Sequence, residues 1–303
     1  MRVLDIELPT QGVTLQCRQA GAVGAPRVLL LHGFPEGAFV WEPLMAALAD
    51  QAWLLAPDQR GYGASSHPAE VSAYRARHLV ADLAELCERS GGPMDLVVAH
   101  DWGGAVAWGL AAQHPELMRR LLILNAPHAG PLCRALQRDA AQQAASAYMN
   151  QLCEPHMAAR LAENDFARLW RLLEQSSASA AGPAGWLTQA LRERYRAVWR
   201  HGLDGALNWY RASPLRPPQS PADPILSLQL SPETLTVRVP THVLWGLDDA
   251  ALLPCLLDGL ADWVPELQIE RVPGASHWIL HEQRSEEHTS ELQSRVDISY
   301  AVF

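Results

Sequence analysis

The sequence predicts an α/β protein, with a mostly parallel central sheet, helices on both faces of the sheet and a helical segment inserted into it. Short apolar runs alternate with longer helical patterns along the first 128 residues. Continuous apolar runs of this length are typical of strands that are buried on both faces of a parallel sheet. Residues 129 to 235 then have a helical pattern that two predicted loops, SSASAAGPAG and SPLRPPQSPADP, interrupt, and strand-like runs return after them.

The individual strands and helices follow from these patterns. RVLDIEL and VTLQCRQ alternate like two paired strands joined by a turn at Gly12. Six further runs are predicted to be strands: RVLLLHG, AWLLAPD, MDLVVAH, RLLILNA, VPTHVLWG and LQIERVPG. Four helices of the core are predicted at WEPLMAALADQ, YRARHLVADLAELCERSG, GAVAWGLAAQHPELMR and LPCLLDGLADWVP.

The chain is expected to consist of a core in two parts, a cap and a tail. Residues 1–128 and 236–283 are predicted to form the core, and residues 129–235 the inserted helical cap. The tail, residues 284–303, contains RSEEHTSELQS, which resembles the translation of a common sequencing-library adapter. We therefore expect the tail to be non-native and to lack the packed helix that would normally cover the sheet there.

Charge and composition exclude several classes of function. The 303-residue chain has a net charge of −9, which argues against nucleic acid or an anionic membrane as a partner. All 24 basic residues are arginine, so the Schiff-base chemistry of lysine is excluded. No window has the length and apolarity of a membrane span or the pattern of a signal peptide.

The cysteines indicate a reducing compartment. The chain has five, an odd number, and they are scattered without a C-x-x-C pair: Cys17, Cys87, Cys133, Cys153 and Cys255. Such a set is typical of buried thiols rather than of disulfides or a zinc site. The sequence thus predicts a cytoplasmic protein that needs no metal and no cofactor.

Polar motifs follow four of the predicted strands. In open α/β sheets, functional groups gather at the carboxyl ends of the strands. The four motifs are HGFPE (32–36), HDWGG (100–104), WGLDD (245–249) and GASHW (274–278). Their occurrence together, in this order, predicts a single site at one edge of the sheet.

These motifs resemble those of a known family. Together with DQRGYG (58–63), their order resembles the α/β-hydrolase fold across residues 3–283. The combination of HGFPE, HDWGG, LNAPH (124–128) and NWYR (208–211) is similar to that of the soluble epoxide hydrolases. The resemblance implies a hydrolase that converts an epoxide and water to a vicinal diol.

Asp101 occupies the position at which many relatives of this fold hold a nucleophilic serine. The tight strand-to-helix turn needs small neighbours, and the helix that follows favours an ionised carboxylate. A carboxylate can attack a saturated carbon without first losing a proton, which leaves a covalent ester. The alternative is that Asp101 is only a helix N-cap, for which aspartate is also preferred.

Hydrolysis of that ester requires a base, and His277 is the candidate. A general-base histidine normally needs a carboxylate to orient it. The spacing of the family selects Asp249 for this role, with Asp248 as the alternative. Some relatives place this acid after the sixth strand, where this chain has Asn125.

The resemblance also implies donors for the oxygens that become charged. Backbone N–H groups of Phe34 and Trp102 would form the oxyanion hole, while His32 is expected to have a structural role. Soluble epoxide hydrolases use two cap tyrosines as proton donors to the epoxide oxygen. Tyr210 in NWYR and Tyr148, seven residues before Pro155, match these positions.

Two alternative functions would use the same residues, and a third is excluded. A haloalkane or haloacid dehalogenase shares the Asp–His–Asp triad. However, Phe34 replaces the asparagine that is typical of haloalkane dehalogenases. The arginine with which fluoroacetate dehalogenases bind the substrate carboxylate is also absent near Asp101. A non-catalytic ligand-binding homologue is the second alternative. A serine esterase is excluded because the chain lacks G-x-S-x-G. The expected ligands are a small apolar epoxide and water, bound by a monomer or homodimer.

Overall fold

A computed structural model describes residues 1–177 and 185–282 of the chain. The predicted tail, 284–303, lies outside these residues. The eight predicted strands are all present in one sheet. They are β1 (Arg2–Leu8), β2 (Val13–Ala20), β3 (Arg27–Leu31), β4 (Trp53–Pro57), β5 (Leu96–His100), β6 (Leu121–Leu124), β7 (Thr241–Gly246) and β8 (Leu267–Val272).

The sheet has the strand order β1-β2-β4-β3-β5-β6-β7-β8. The β1–β2 and β2–β4 pairs are antiparallel, and the remaining pairs are parallel. The mostly parallel α/β fold predicted from the sequence is confirmed. Every residue of β5 is buried, as its continuous apolar run predicts. The parallel strands β3, β5, β6 and β7 direct their carboxyl ends to the same edge of the sheet.

Helices connect the strands, and their bounds differ from the predicted ones at several ends. The described helices are α1 (Glu42–Leu48), α2 (Ala76–Arg89), α3 (Asp101–Gln113), α4 (Ala129–Arg138), α5 (Ala140–Ala145), α6 (Tyr148–Leu152), α7 (Met157–Gln175), α8 (Gln189–Trp199), α9 (Asp204–Ala212), α10 (Pro232–Leu235) and α11 (Ile279–Glu282). Non-helical backbone at Glu163–Phe166 interrupts α7. Among the described residues, no helix has both the length and the apolarity to cross a membrane.

Two of the predicted core helices differ from the structure. The stretch LPCLLDGLADWVP forms two short 3₁₀ turns rather than one helix. Asp258 is extended and Gly259 has a φ of +65°, so the backbone between the turns is not helical. Helix α3 begins at Asp101 rather than at Gly104, because the turn residues themselves enter the helix. It ends at Gln113 rather than at the predicted Arg119, because Pro115 disfavours helical backbone at the residue before it.

The helices α4 to α10 lie between β6 and β7 in the chain. Two tryptophans of this segment donate indole hydrogen bonds to backbone carbonyls of the sheet-side loops. Trp199 donates to Pro35 O at 2.6 Å, and Trp209 donates to Arg60 O at 2.9 Å. The segment is thereby anchored over the edge of the sheet that carries the HGFPE and DQRGYG loops.

A buried ion pair fixes the DQRGYG loop beneath this segment. The Arg60 guanidinium donates to both carboxylate oxygens of Asp82 on α2, at 2.7 and 2.6 Å. Both side chains are almost fully buried, and a paired fork geometry is what makes such burial tolerable. The loop is therefore held rigidly where Trp209 contacts it.

Candidate active site

Asp101 lies at the turn between β5 and α3, with a left-handed backbone. Its φ of +49° is unusual for a residue with a side chain, and strained backbone of this kind is concentrated at functional sites. The turn depends on glycine at two neighbouring positions. A Cβ at Gly103 would lie 2.6 Å from His32 O, and a Cβ at Gly33 would lie 2.4 Å from the Asp101 Cβ. The chain can therefore approach the Asp101 turn closely only because these residues lack side chains.

The Asp101 carboxylate is held by the loop that follows β3. The Phe34 N–H donates to Oδ1 at 2.7 Å, as the sequence predicts for one donor of the oxyanion hole. The second predicted donor, the Trp102 N–H, makes no hydrogen bond to this carboxylate within the described residues. His32, expected to be structural, accepts from the Gln59 N–H at 3.1 Å through Nε2. Burial lowers the pKa of His32, so its ring supports the loop as a neutral group.

His277 lies between two carboxylates. Its Nδ1–H donates to Asp249 Oδ2 at 2.8 Å, and its Nε2 is 3.6 Å from Asp101 Oδ2. Burial lowers the pKa of His277, but the charge and hydrogen bond of Asp249 and the charge of Asp101 raise it to about 9. The imidazole is therefore protonated at neutral pH. The ring is oriented with Nε2 towards the Asp101 carboxylate.

Asp249, rather than Asp248, contacts the histidine. Asp249 is 2% exposed, whereas Asp248 is on the surface. Burial raises the pKa of Asp249, but His277 and hydrogen bonds from Leu252 and Asn125 lower it below its ordinary value. Asn125 donates through Nδ2 to Asp249 Oδ2 at 2.8 Å and accepts from the Gly246 N–H at 2.9 Å. The asparagine after β6 thus orients the acid that lies after β7.

A second buried network lies behind His277. His100 contacts Glu36 Oε2 through Nδ1 at 3.2 Å and donates through Nε2 to the His277 carbonyl at 2.8 Å. The other Glu36 oxygen accepts from Tyr195 at 2.8 Å and from His281 at 2.7 Å. Burial raises the pKa of Glu36, yet the bonds from His100 and His281 hold it well below its ordinary value. The backbone of His277 is therefore fixed by an ionised, fully buried carboxylate.

The two predicted tyrosines face Asp101 across a cavity. A cavity of about 470 Å³ is lined by Asp101, His277, Tyr148 and Tyr210, with Phe34 at its base. The Tyr210 ring packs edge-on against Phe34 and Trp102, with centroid distances of 5.2 and 5.0 Å. The Tyr148 ring lies 6.3 Å from Tyr210. The structure thus brings together every residue that the sequence analysis selected for the chemistry.

Both phenols keep their protons over a wide pH range. Burial, followed by the Asp101 and Asp249 carboxylates, raises the pKa of Tyr148. Burial, Tyr148 and Asp101 raise the pKa of Tyr210 well above 10. Both hydroxyls therefore keep their protons at neutral pH and can donate hydrogen bonds. The described residues contain no group of three or more histidine, cysteine or acidic side chains arranged to hold a metal ion.

The charge of Asp101 provides a test of this geometry. In an Asp101→Ala variant, the pKa of His277 is expected to fall below about 9, because one of the two carboxylates that stabilise the imidazolium is removed. NMR titration of the ring would measure the change. An unchanged pKa would mean that Asp101 and His277 are not coupled as the 3.6 Å separation implies.

The same shift predicts how stability depends on pH. The folded-state pKa of His277 lies above the ordinary 6.5. The contribution of this residue to the free energy of unfolding is therefore complete below pH 6.5 and is lost as the pH rises through about 9. The free energy of unfolding should therefore fall more steeply across this interval in the wild type than in His277→Gln.

Comparisons with known proteins agree with this arrangement. A family profile described as alpha/beta hydrolase fold matches residues 26–283. The chain belongs to this family. The α/β-hydrolase is 34% identical over 278 residues to the AB hydrolase superfamily protein YfhM of Bacillus subtilis, with 90% of this chain and 91% of that protein covered. It is 32% identical over 308 residues to Epoxide hydrolase A of Mycobacterium tuberculosis, with 91% and 92% covered.

A solved structure extends the likeness to three dimensions. The α/β-hydrolase superposes on the crystal structure of Bacillus megaterium epoxide hydrolase in complex with an inhibitor, with a TM-score of 0.85. The two chains are 26% identical, and the match covers 98% of this chain and 99% of the other. The resemblance to the epoxide hydrolases predicted from the motifs is confirmed.

Five residues at this site were not predicted from the sequence. In the sequence, Asn125 indicates only that the position after the sixth strand lacks an acid, whereas in the structure its amide orients Asp249. Glu36 and His100 lie inside the HGFPE and HDWGG motifs, but the sequence predicts no role for them. Their position in the motifs was the signal, since polar residues next to the site residues, at the ends of buried strands, need a partner. Arg168 and Arg171, which also line the cavity, carry no signal in the sequence.

Proposed function

We propose that this α/β-hydrolase is an epoxide hydrolase that forms a covalent ester on Asp101. The observation that carries the proposal is the pair of protonated tyrosines that face the Asp101 carboxylate across one cavity. An opening epoxide ring needs a nucleophile on carbon and a proton donor on oxygen, on opposite sides. The relatives named as epoxide hydrolases support the same assignment.

In the first step, an oxygen of Asp101 attacks one ring carbon and the bond from that carbon to the epoxide oxygen breaks. Tyr148 and Tyr210 donate to the leaving oxygen, and one of them transfers its proton to the alkoxide. The Phe34 N–H already holds Oδ1 at 2.7 Å, which leaves Oδ2 as the attacking oxygen. The product is a β-hydroxyalkyl ester of Asp101 and a tyrosinate.

In the second step, a water molecule attacks the carbonyl carbon of the ester. Nε2 of His277 takes the water proton, and negative charge develops on the oxygen held by the Phe34 N–H, with the Trp102 N–H as the proposed second donor. Collapse of this intermediate breaks the bond to the alkoxide oxygen, which takes the proton from His277 and leaves as the vicinal diol. The carboxyl group that remains on Asp101 returns a proton to His277, which restores the resting carboxylate and imidazolium. Asp249 stabilises the imidazolium that forms.

The protons balance between the two steps. His277 is protonated in the resting enzyme, and the first step leaves a tyrosinate whose conjugate acid has a raised pKa. A proton can therefore move through water from the imidazolium to the tyrosinate. Esterification also removes the charge of Asp101, so the pKa of His277 falls at the stage when a base is needed.

The proposal includes the division of the chain. Residues 129–235 would act as the cap, since Tyr148 and Tyr210 come from this segment while Asp101, Asp249 and His277 come from the loops after β5, β7 and β8. Residues 1–128 and 236–283 would form the core. A cytoplasmic location is part of the same proposal, supported by five cysteines that are all free thiols.

A comparison of two leaving groups tests the proposal. We expect the purified protein to convert styrene oxide or an alkyl epoxide to the diol, and to release no halide from a haloalkane of similar shape. The physical reason is that the tyrosine hydroxyls can transfer a proton to a departing alkoxide, whereas a departing halide needs side-chain N–H donors, and Phe34 replaces the asparagine that is typical of haloalkane dehalogenases. Product analysis by chromatography and a halide assay would measure the two rates. Halide release without diol formation would establish the dehalogenase alternative instead.

A further inference from the structure

One face of α8 lies on the loop that carries the Phe34 N–H. Trp199 donates through Nε1 to Pro35 O at 2.6 Å, and Tyr195 donates to Glu36 Oε1 at 2.8 Å. Tyr195 and Trp199 are four residues apart, so they share one face of the helix. The helix belongs to the segment between β6 and β7, whereas the loop follows β3. The inserted segment therefore contacts the residue directly after a proposed oxyanion donor.

The peptide groups around Phe34 belong to one closed turn and move together. The Glu36 N–H donates to Gly33 O at 3.0 Å and closes the turn, while the ring of Pro35 fixes the backbone φ of that residue. At the start of the turn, the Phe34 N–H donates to Asp101 Oδ1 at 2.7 Å. A shift of the Pro35 carbonyl is therefore transmitted to the Phe34 N–H.

Trp199 is the partner of the Pro35 carbonyl in a region closed to water. Every residue of the range 33–37 is buried, and Trp199 is 2% exposed. Its indole ring is itself held by two rings of α7, with centroid distances of 5.2 Å to Phe166 and 4.4 Å to Trp170. A buried carbonyl without a donor is unfavourable. We therefore expect the turn to move if the indole N–H is removed, since water cannot replace it.

We propose that Trp199 is a positioning residue for the second step of the reaction, and that through Pro35 it holds the Phe34 N–H where the oxyanion forms. This inference rests on the proposed function. The two steps change the charge on Asp101 Oδ1 in opposite directions. Alkylation removes negative charge from the carboxylate, whereas attack of water on the ester develops negative charge on Oδ1. The second step therefore depends more strongly on a well-placed donor.

The inserted segment then acts in both steps through different residues. Tyr148 and Tyr210 donate to the epoxide oxygen in the first step, and Trp199 fixes an oxyanion donor for the second. A merely structural role of Trp199 has a different signature. Loosening of the whole segment would also displace the tyrosines and slow the first step. Separate measurement of the two steps distinguishes these roles.

Trp199→Phe tests the proposal because it removes the indole N–H and keeps an aromatic ring. Rapid quench and intact-protein mass spectrometry with styrene oxide give the rate constants for formation and decay of the ester. We expect decay to slow about tenfold or more, since loss of a whole oxyanion donor costs on the order of 10²–10³-fold. Formation should stay within about twofold of the wild-type rate, because that step removes charge from Oδ1. The variant should therefore hold more of its population as the ester during turnover.

A second replacement and a matched control separate the hydrogen bond from packing. Trp199→benzothienylalanine keeps a bicyclic ring of the same size with sulfur in place of the N–H, and it should show the same slow decay. Trp170→Phe removes an indole hydrogen bond from a ring that packs against Trp199. Its acceptor, Asp165 O at 2.8 Å, lies in α7 rather than in the loop. Decay in this control should keep the wild-type rate.

Decay at the wild-type rate in the benzothienylalanine variant would overturn this inference. Equal slowing of both steps in the Trp199 variants, or a similar slowing of decay in Trp170→Phe, would assign the effect to packing and overturn it as well. The proposed function survives each of these results as long as the wild type forms the diol. Absence of both ester and diol in the wild type would overturn the proposed function.

Discussion

Replacement of His277 by glutamine is expected to trap the enzyme as its covalent ester. Asp101 and the two tyrosines remain, so the epoxide can still alkylate the carboxylate, but no base is left to activate water. Intact-protein mass spectrometry should show one substrate mass added to the whole population, and kcat should fall by about 10³-fold or more, since general-base catalysis contributes on the order of 10²–10⁴.

The matched control for this trap is Asp101→Ala. It removes the only side chain that the mechanism alkylates, so the protein should show neither adduct nor turnover after incubation with the same epoxide. Alanine is preferable to asparagine here, because deamidation of asparagine would restore the carboxylate. Steady-state turnover in Asp101→Ala near the wild-type rate would refute the covalent mechanism.

Removal of both cap hydroxyls is expected to slow alkylation by about 10²–10⁴-fold, the range for a lost general acid. The double variant Tyr148→Phe/Tyr210→Phe keeps both rings, and therefore the packing of Tyr210 against Phe34 and Trp102. Rapid-quench measurement of adduct formation in the His277→Gln background isolates this step. Each single variant should lose less, because the other hydroxyl can still donate.

Tyr62→Phe provides the matched control for these variants. Tyr62 is buried and does not line the cavity beside Asp101, and its hydroxyl has no hydrogen-bond partner in the described part of the chain. The substitution should leave the rate of adduct formation close to that of the His277→Gln parent. An equal loss in Tyr62→Phe and in the double variant would assign the effect to packing, and would remove the tyrosines from the mechanism.

The sheet could be predicted from the sequence because its strands are buried on both faces. A continuous apolar run such as that of β5 is too short for a helix and lies between turns, so a buried strand is the structure that it favours. The segment after Leu253 was predicted wrongly as one helix, because its apolar spacing suits either a helix or two short turns. The backbone at Asp258 and Gly259 decides between them, and periodicity carries no information about it.

The residues of the candidate site could be predicted only where the residue type is uncommon at its position unless it has a chemical role. Asp101 and His277 follow buried strands, where the chemistry of a carboxylate and an imidazole suggests a role. Arg168 and Arg171 could not be found in this way, since arginine is common on helix surfaces. Whether they line the cavity depends on which face of α7 meets it, and this is a property of the folded chain.

Glu36 joins parts of the protein that are far apart in the chain. Its two oxygens contact His100, which precedes Asp101, Tyr195 of α8 and His281, which follows His277 by four residues. A cap grafted from a relative to change the substrate range would bring its own residue to the position of Tyr195. Such a chimera needs tyrosine at this position. Without it, the buried Glu36 carboxylate loses one of its hydrogen-bond donors, close to the backbone of His277. Selection of compatible caps can therefore begin from this single position.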